Sequence, residues 1–283
     1  MVASGPGGTV VINGGAAYTN SPVVTLTLTA ASIGPALDKM NFSLDGGAAW
    51  SGWENIAPSK QITFTGSDGD KTLKYKLRDV LNNESIYSAA IILDRVVPAG
   101  TININSGAQY TNSFSVTLNL SGTDNTGGSG IDKMSFSTDS VNWSTPEAFA
   151  AAKNNYQLPV GDGTKTVYVK YYDRANNESL VYSKPITVDT TGPAGSIATG
   201  NGSAYVNQAS VNLTLSAVDA GSGMDKMSFS TDNVNWSTPE AYATTKTLSL
   251  PAGDGVKAVY VKFLDKLNNS TILAPLNVTV DTV

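Results

Sequence analysis

Residues 132–148 read DKMSFSTDSVNWSTPEA and residues 225–241 read DKMSFSTDNVNWSTPEA, so 16 of 17 positions agree. A looser copy starts at Asp38, with Lys39, Met40 and Phe42 in the same order and Trp50 and Ser51 downstream. Other landmarks recur at the same pitch. Tyr18, Tyr110 and Tyr205 correspond, as do the Asp-Gly steps at Asp68, Asp162 and Asp254. Asp79 with Asn82 and Asn83 returns as Asp173 with Asn176 and Asn177, then as Asp265 with Asn268 and Asn269. The intervals run from 92 to 95 residues. Solenoid units are shorter, roughly 20–45 residues, and stack because they cannot close a core alone. A unit of this length can close its own. Three tandem domains are expected, at residues 1–97, 98–192 and 193–283.

Within the second repeat, Val116, Leu118 and Leu120 alternate with polar residues, the mark of a half-buried strand. Met134 and Phe136 do the same, followed by strands over residues 167–172 and 186–189. Turn clusters of Asp, Asn and Gly separate them, at residues 124–130, 161–164 and 176–179. Short strands, frequent turns and no sustained 3.6-residue period predict an all-β chain of antiparallel sandwiches.

The order Tyr-Thr-Asn, alternating strand, Ser-Gly turn, Met-x-Phe-Ser, Trp-Ser, Gly-Asp-Gly, Val-Tyr-Val, Asp…Asn-Asn, Val-Asp-Thr-Thr-Gly-Pro resembles bacterial immunoglobulin-like repeats of large secreted and surface proteins. The resemblance covers essentially the whole chain. It implies three tandem immunoglobulin-like antiparallel β-sandwich domains in an extended array, and an extracellular or cell-surface setting in a bacterium. It is nearly silent on activity. It also implies an E–F corner in which a Tyr hydroxyl bonds back to upstream backbone, with Tyr75, Tyr168 and Tyr260 at that position. The first repeat departs from the pattern in its loop at residues 31–35, which lacks the Asp and Ser-Gly of the others, and in its linker, residues 94–98.

Composition narrows the chemistry. Charged residues are 14% of the chain, where about 25% is usual. A net charge of −5 with no Lys/Arg run offers no footprint for nucleic acid. No apolar stretch approaches the roughly 18–20 residues of a membrane span. With no Cys there is no disulfide or thiolate site, and with no His the commonest general base and metal ligand are missing. The first five residues lack signal-peptide character, and both ends resemble interrupted linkers. A piece of a longer repeat array with an added start methionine is therefore expected.

The immunoglobulin-like topology would gather the last residue of one repeat with the B–C and F–G loops of the next. At the first junction that set is Asp94, Asp124, Asp173 and Asn176; at the second it is Asp189, Asp219, Asp265 and Asn268. Carboxylates, amides and loop carbonyls are the oxygen ligands that Ca²⁺ takes, and one cation would neutralise three acids and stiffen the joint. Against this, Asp and Asn favour turns for their own backbone bonds, and Arg95 and Arg174 offer a counter-charge at the first junction. No cofactor is otherwise required.

Trp50, Trp143 and Trp236 share one repeated position, and Trp53 is extra. They are candidate ligand-binding residues, as stacking platforms for sugar or a protein partner, although a residue present in every domain more often closes its core. Glu147 and Glu240 occupy equivalent positions in separate domains, where a glycosidase needs two acids about 5–9.5 Å apart. Lys133, Lys170 and Lys226 are candidates for a lysine–asparagine isopeptide bond only in that they recur, and alternation places Lys133 on the solvent side, opposite Met134 and Phe136. No catalytic residue is assigned. The expected role is a non-enzymatic spacer of a stalk, adhesin or surface appendage, its partners being neighbouring repeats and a surface glycan or protein. The alternatives are a carbohydrate- or protein-binding module and a fibre-forming subunit pairing through edge strands.

Overall fold

The computed structural model describes residues 5–32 and 34–283. Residues 1–4, and Ile33 in the divergent loop of the first repeat, lie outside the described residues. The chain forms two compact units. One holds the chain up to Ile102 with Leu120–Ala151 and Tyr168–Ser183; the other holds Asn103–Asn119, Ala152–Val167 and Lys184–Val283. The middle repeat contributes strands to both.

In the first unit, strand Val23–Ala31 lies between Gly7–Ile12 and Ser59–Thr63, antiparallel to each. A second sheet runs Tyr18–Thr19, Glu84–Leu93, Gly69–Asp79, Leu37–Ser43, Glu54–Asn55, with Tyr18–Thr19 parallel to its neighbour. Val24, Leu26 and Leu28 point from the first sheet into a core shared with Met40, Phe42, Leu73, Tyr75 and Leu77 of the second. The alternation in VVTLTLTAA is what buries one face and leaves the other polar. Two sheets closed on one core make an immunoglobulin-like sandwich.

The second unit contains the same plan. Ser210–Val218 lies between Ala194–Thr199 and Thr245–Ser249. Its other sheet runs Tyr205–Val206, Leu276–Val280, Gly255–Asp265, Met224–Ser230, Glu240–Ala241. Leu213 and Leu215 pack with Met227, Phe229, Val261 and Phe263. Strands Ser115–Thr123, Ile131–Ser137, Gly163–Asp173 and Tyr182–Val188 of the middle repeat match those expected from its alternation. Among the described residues the helical segments are two 3₁₀ turns, Asn13–Gly15 and Asn105–Gly107.

The expected equivalence of Tyr75 with Tyr168 and Tyr260 is wrong by one residue. Phe42 lies opposite Tyr75, whereas Phe136 faces Val169 and Phe229 faces Val261. Tyr168 and Tyr260 therefore correspond to Lys74, and they lie half-buried on the other face of their strands. A slip of one residue exchanges the faces of a strand, so a motif aligned by eye misplaces the ring. The rings that reach back to backbone are inward ones. The Tyr171 hydroxyl donates to the Thr101 carbonyl at 2.6 Å and that of Tyr75 to Thr29 at 3.5 Å. Burial pushes the Tyr75 hydroxyl up to about 12, and it pushes Tyr171 up as well. Over the Tyr171 ring lies Gly100, where a Cβ would fall 2.2 Å from the ring; only glycine admits so close an approach.

Replacing Tyr171 by Ala is expected to cost about 3–5 kcal/mol in urea unfolding, and Tyr168→Ala about 1 kcal/mol. Equal midpoint shifts for the two variants would contradict this register.

Candidate metal centres

Each long strand Gly163–Asp173 and Gly255–Asp265 ends on an aspartate that opens a tight turn. Asp173 Oδ1 accepts the Asn177 backbone N–H at 2.8 Å, and its Oδ2 accepts the Asn177 amide at 2.7 Å. The same amide donates to the carbonyl of Asp94 at 2.9 Å, tying the end of the first repeat to the turn. Asp94 is fixed a second way, its N–H donating to the Thr19 carbonyl at 2.9 Å. Asp124, just beyond strand Ser115–Thr123, completes the group by accepting the Gly130 N–H on Oδ2 at 2.6 Å. One carboxylate oxygen from each of Asp94, Asp124 and Asp173 lies within 4.8 Å of the others.

A second group repeats the first. Asp189 Oδ2 accepts from the Ser222 N–H, Asp219 Oδ1 from the Gly223 N–H, and Asp265 from the backbone and amide of Asn269. The Asn269 amide also donates to the Asp189 carbonyl at 2.9 Å. Oxygens of Asp189, Asp219 and Asp265 again lie within 4.8 Å of one another. Gly221 lies against Asp189; a Cβ there would sit 2.2 Å from the carboxyl carbon, so the loop closes over the acid only as glycine.

Six of the eight residues expected to form these sites are thus brought together, three and three. Asn176 and Asn268 are not. Each is exposed, with φ of 67° and 64°, and serves the turn, a conformation that Asn tolerates better than most residues. The functional amide is the next residue, Asn177 or Asn269. An Asn-Asn pair after a strand-ending Asp contained that signal, since a single left-handed residue sends its successor back toward the strand. Sequence reasoning also missed Ser129 and Ser222, whose backbone N–H groups hold Asp94 and Asp189.

The electrostatics are unfavourable as they stand. Asp94 and Asp173 are fully buried, and three formal charges share one site. Neither expected arginine answers them. Arg95 pairs with Asp68, Nε to Oδ1 at 2.6 Å, and Arg174 donates to the Ser129 carbonyl at 2.9 Å. Asp124 Oδ1 is buried without any partner among the described residues, and so is the Ser222 hydroxyl. Burial raises the Asp173 carboxyl above its ordinary value, the Asn177 bonds oppose that, and the charges of Asp94 and Asp124 raise it further. The first repeat supplies the control. Asp79 has the same bonds from Asn83 but no triad among the described residues. There burial pushes up too, yet the Asn83 and Leu81 bonds outweigh it and the net shift is downward.

The tryptophans sit elsewhere. Trp50, Trp143 and Trp236 are half-buried, each with a lysine ammonium over its ring: Lys76 at 4.3 Å, Lys170 at 4.4 Å and Lys262 at 4.3 Å. Trp53 carries Arg78 at 4.4 Å. Glu240 is ion-paired to Lys246 at 2.6 Å, and Glu54 of the first repeat to Lys60 in the same way. Lys133 is exposed beside Asp132 and Lys226 is half-buried beside Asp225, while Lys170 pairs with Glu178.

No family model matches the chain, and no curated protein matches it. Among solved structures it is similar to part of a 1.5-MDa bacterial ice-binding adhesin, 14% identical over 98% of each chain with a TM-score of 0.47. It is similar to fibronectin(III)-like modules of Clostridium thermocellum CbhA, 18% identical over 63% of this chain and 93% of that one, TM-score 0.40. A third is a tetra-tandem repeat from the extending region of a large adhesion protein, 16% identical over 98% of this chain and 74% of that one, TM-score 0.32. At such identities and scores no residue role passes from those proteins to this chain.

Carboxyl titration by NMR in EDTA should place Asp173 above 3.8 and Asp79 below it. For Asp79 the folded value is depressed, so its stabilisation is present above 3.8 and is lost as pH falls through the folded value. For Asp173 the folded value is raised, so the metal-free protein is penalised at neutral pH and recovers stability as pH falls through that value toward 3.8. The opposite order of the two midpoints would refute this account of the triad.

Proposed function

We propose that this chain is a non-enzymatic spacer made of three immunoglobulin-like modules, at residues 1–97, 98–192 and 193–283. It would form part of an extracellular stalk, adhesin or surface appendage, with Ca²⁺ stiffening the joints between modules. The observation that carries the reading is the pair of triads, each combining the buried outgoing aspartate of one repeat with a buried and a half-buried aspartate of the next. Such a group sets the direction in which one repeat leaves the other. Pro98 and Pro193 follow within the linkers and restrict the backbone there.

The donor chemistry fits a hard cation. Every side-chain ligand is an oxygen, the charge to be neutralised is three, and among the described residues each site keeps a buried polar atom without a partner, Asp124 Oδ1 in one and the Ser222 hydroxyl in the other. Ca²⁺ accepts six to eight oxygens in flexible geometry, whereas Mg²⁺ needs near-octahedral placement and keeps its waters. A cavity of about 450 Å³ bordered by Asp189, Asp219 and Gly221 gives an ion a way in. The bound ion would replace repulsion by attraction and rigidify residues that already hold the joint.

Calorimetry in Ca²⁺ and in EDTA tests the cation, and small-angle scattering tests the spacer. With Ca²⁺ at a hundredfold excess over its Kd, stability should rise by about 2.7 kcal/mol per linked site. The variant Asp124→Asn with Asp219→Asn should lose that response, yet be at least as stable as the parent in EDTA because repulsion falls. Absence of any Ca²⁺ response removes the ion from the reading. A compact scattering profile under both conditions removes the spacer itself.

A further inference from the structure

We propose that the third repeat carries a binding site for a neutral pyranose sugar, in an opening of about 630 Å³ bordered by Asn201, Tyr205, Asn207, Gln208, Asn212 and Asp281. The proposal goes beyond the spacer role and does not depend on the cation.

The opening lies where the third repeat abandons the local bonds of the other two. In those, Asn13 Oδ1 accepts the Thr25 N–H at 2.8 Å and Asn105 Oδ1 accepts the Thr117 N–H at 2.9 Å. The third repeat has Gly200 at that position and cannot make the bond. The others also fold the next loop through hydroxyls: the Ser21 N–H donates to Thr19 Oγ1, and the Ser113 N–H to Thr111 Oγ1, each at 3.2 Å. Val206 and Gln208 replace those residues. The loop is therefore built differently: Asn201 and Ser203 hold its first turn, and the side chains of Asn207 and Gln208 take no part in its hydrogen bonds among the described residues.

Those unspent groups suit a polyol. The side chains of Asn207 and Gln208 make no hydrogen bond among the described residues. Asn212 is held through Oδ1 by the Thr247 hydroxyl at 2.6 Å, which leaves its amide nitrogen as a donor. Asn201 likewise accepts the Ser203 N–H on Oδ1 at 3.0 Å and keeps its amide nitrogen. Carboxamides present a donor and an acceptor side by side, and vicinal hydroxyls need both. Tyr205 supplies the apolar surface. Its counterparts Tyr18 and Tyr110 are half-buried, whereas Tyr205 is 68% exposed, a flat ring available to the C–H face of a sugar. Tyr and Asn are residues that bind with little conformational loss and adaptable hydrogen bonding. No described Lys or Arg borders the opening, so phosphates, sulfates and uronic acids find no counter-charge there. The volume is within the range of small-ligand sites, about 300–1,000 Å³. The tryptophans are weaker candidates, because a lysine or arginine already covers one face of each.

The test is NMR of the whole chain in EDTA, following the side-chain amides of Asn207 and Gln208 and the ring of Tyr205. The probes are glucose, galactose, mannose, N-acetylglucosamine and glucuronate. At least one neutral sugar should shift those signals with a Kd of about 1 mM, and glucuronate should bind more weakly. Tyr205→Ala and Asn207→Ala, both at the surface, should each weaken binding about tenfold. No shift with any neutral sugar overturns the proposal. So does a shift that survives Tyr205→Ala unchanged, or glucuronate binding as tightly as the neutral sugars.

Discussion

The amide of Asn177 donates both to the Asp173 carboxylate and to the carbonyl of Asp94, and Asn269 makes the same two bonds to Asp265 and Asp189. In each case one side chain connects a strand end, a turn and the last residue of the preceding repeat. Because the Asp94 and Asp189 backbones are held there, their carboxylates have nowhere to go but beside the loop acids. That amide acts together with two other ties: the Asp94 and Asp189 N–H groups donate to the Thr19 and Thr111 carbonyls, and the Ser129 and Ser222 N–H groups donate to the two carboxylates. Losing the amide would loosen the outgoing segment at one of these three points.

Bringing three carboxylates into one buried site raises the free energy of the metal-free fold. Backbone N–H groups from Ser129, Gly130 and Asn177 offset part of it. At Asp173 burial, with the charges of Asp94 and Asp124 added to it, outweighs the Asn177 bonds, whereas at Asp79 the Asn83 and Leu81 bonds outweigh burial. Elsewhere the chain uses Asp differently. Asp139 and Asp232 sit in exposed turns, each bonded by its Asn neighbour's amide and by backbone N–H groups, and their carboxyls are held well below the usual range. Those turns are complete without a ligand. The triads keep a spare buried acceptor or hydroxyl, which is the physical difference between a turn motif and a candidate site.

The repeats share a core and diverge at their ends. The ion pairs Lys60–Glu54 and Lys246–Glu240 place a charge on an outer strand of the smaller sheet, which discourages pairing with another chain's edge. Divergence is concentrated in loops. The first repeat lacks the acidic loop and adds Trp53 with Arg78, while the third exchanges turn-forming Asn, Thr and Ser for Gly200, Val206 and Gln208. Loops tolerate such change because the alternating strands do not depend on them.

Strand alternation and the recurrence of landmarks were enough to read the all-β class, the repeat and the two sets of aspartates. Those features are periodic or local, and periodicity survives without knowledge of what packs where. The faces of the long strands were not legible. Tyr168 and Tyr260 looked like corner tyrosines, but cross-strand register with Phe136 and Phe229 puts them on the opposite face from the core. Nor could spacing decide between Asn176 and Asn177, since a left-handed turn residue and a bridging amide have the same identity and differ only in φ. The partners of Arg95 and Arg174, and the orphaned oxygen of Asp124, belong to three-dimensional placement alone. Sequence by itself determined which residues carry oxygen and where they recur. Tertiary structure decided which oxygens meet, because a hydrogen bond from an amide and a pairing register act across the chain, not along it.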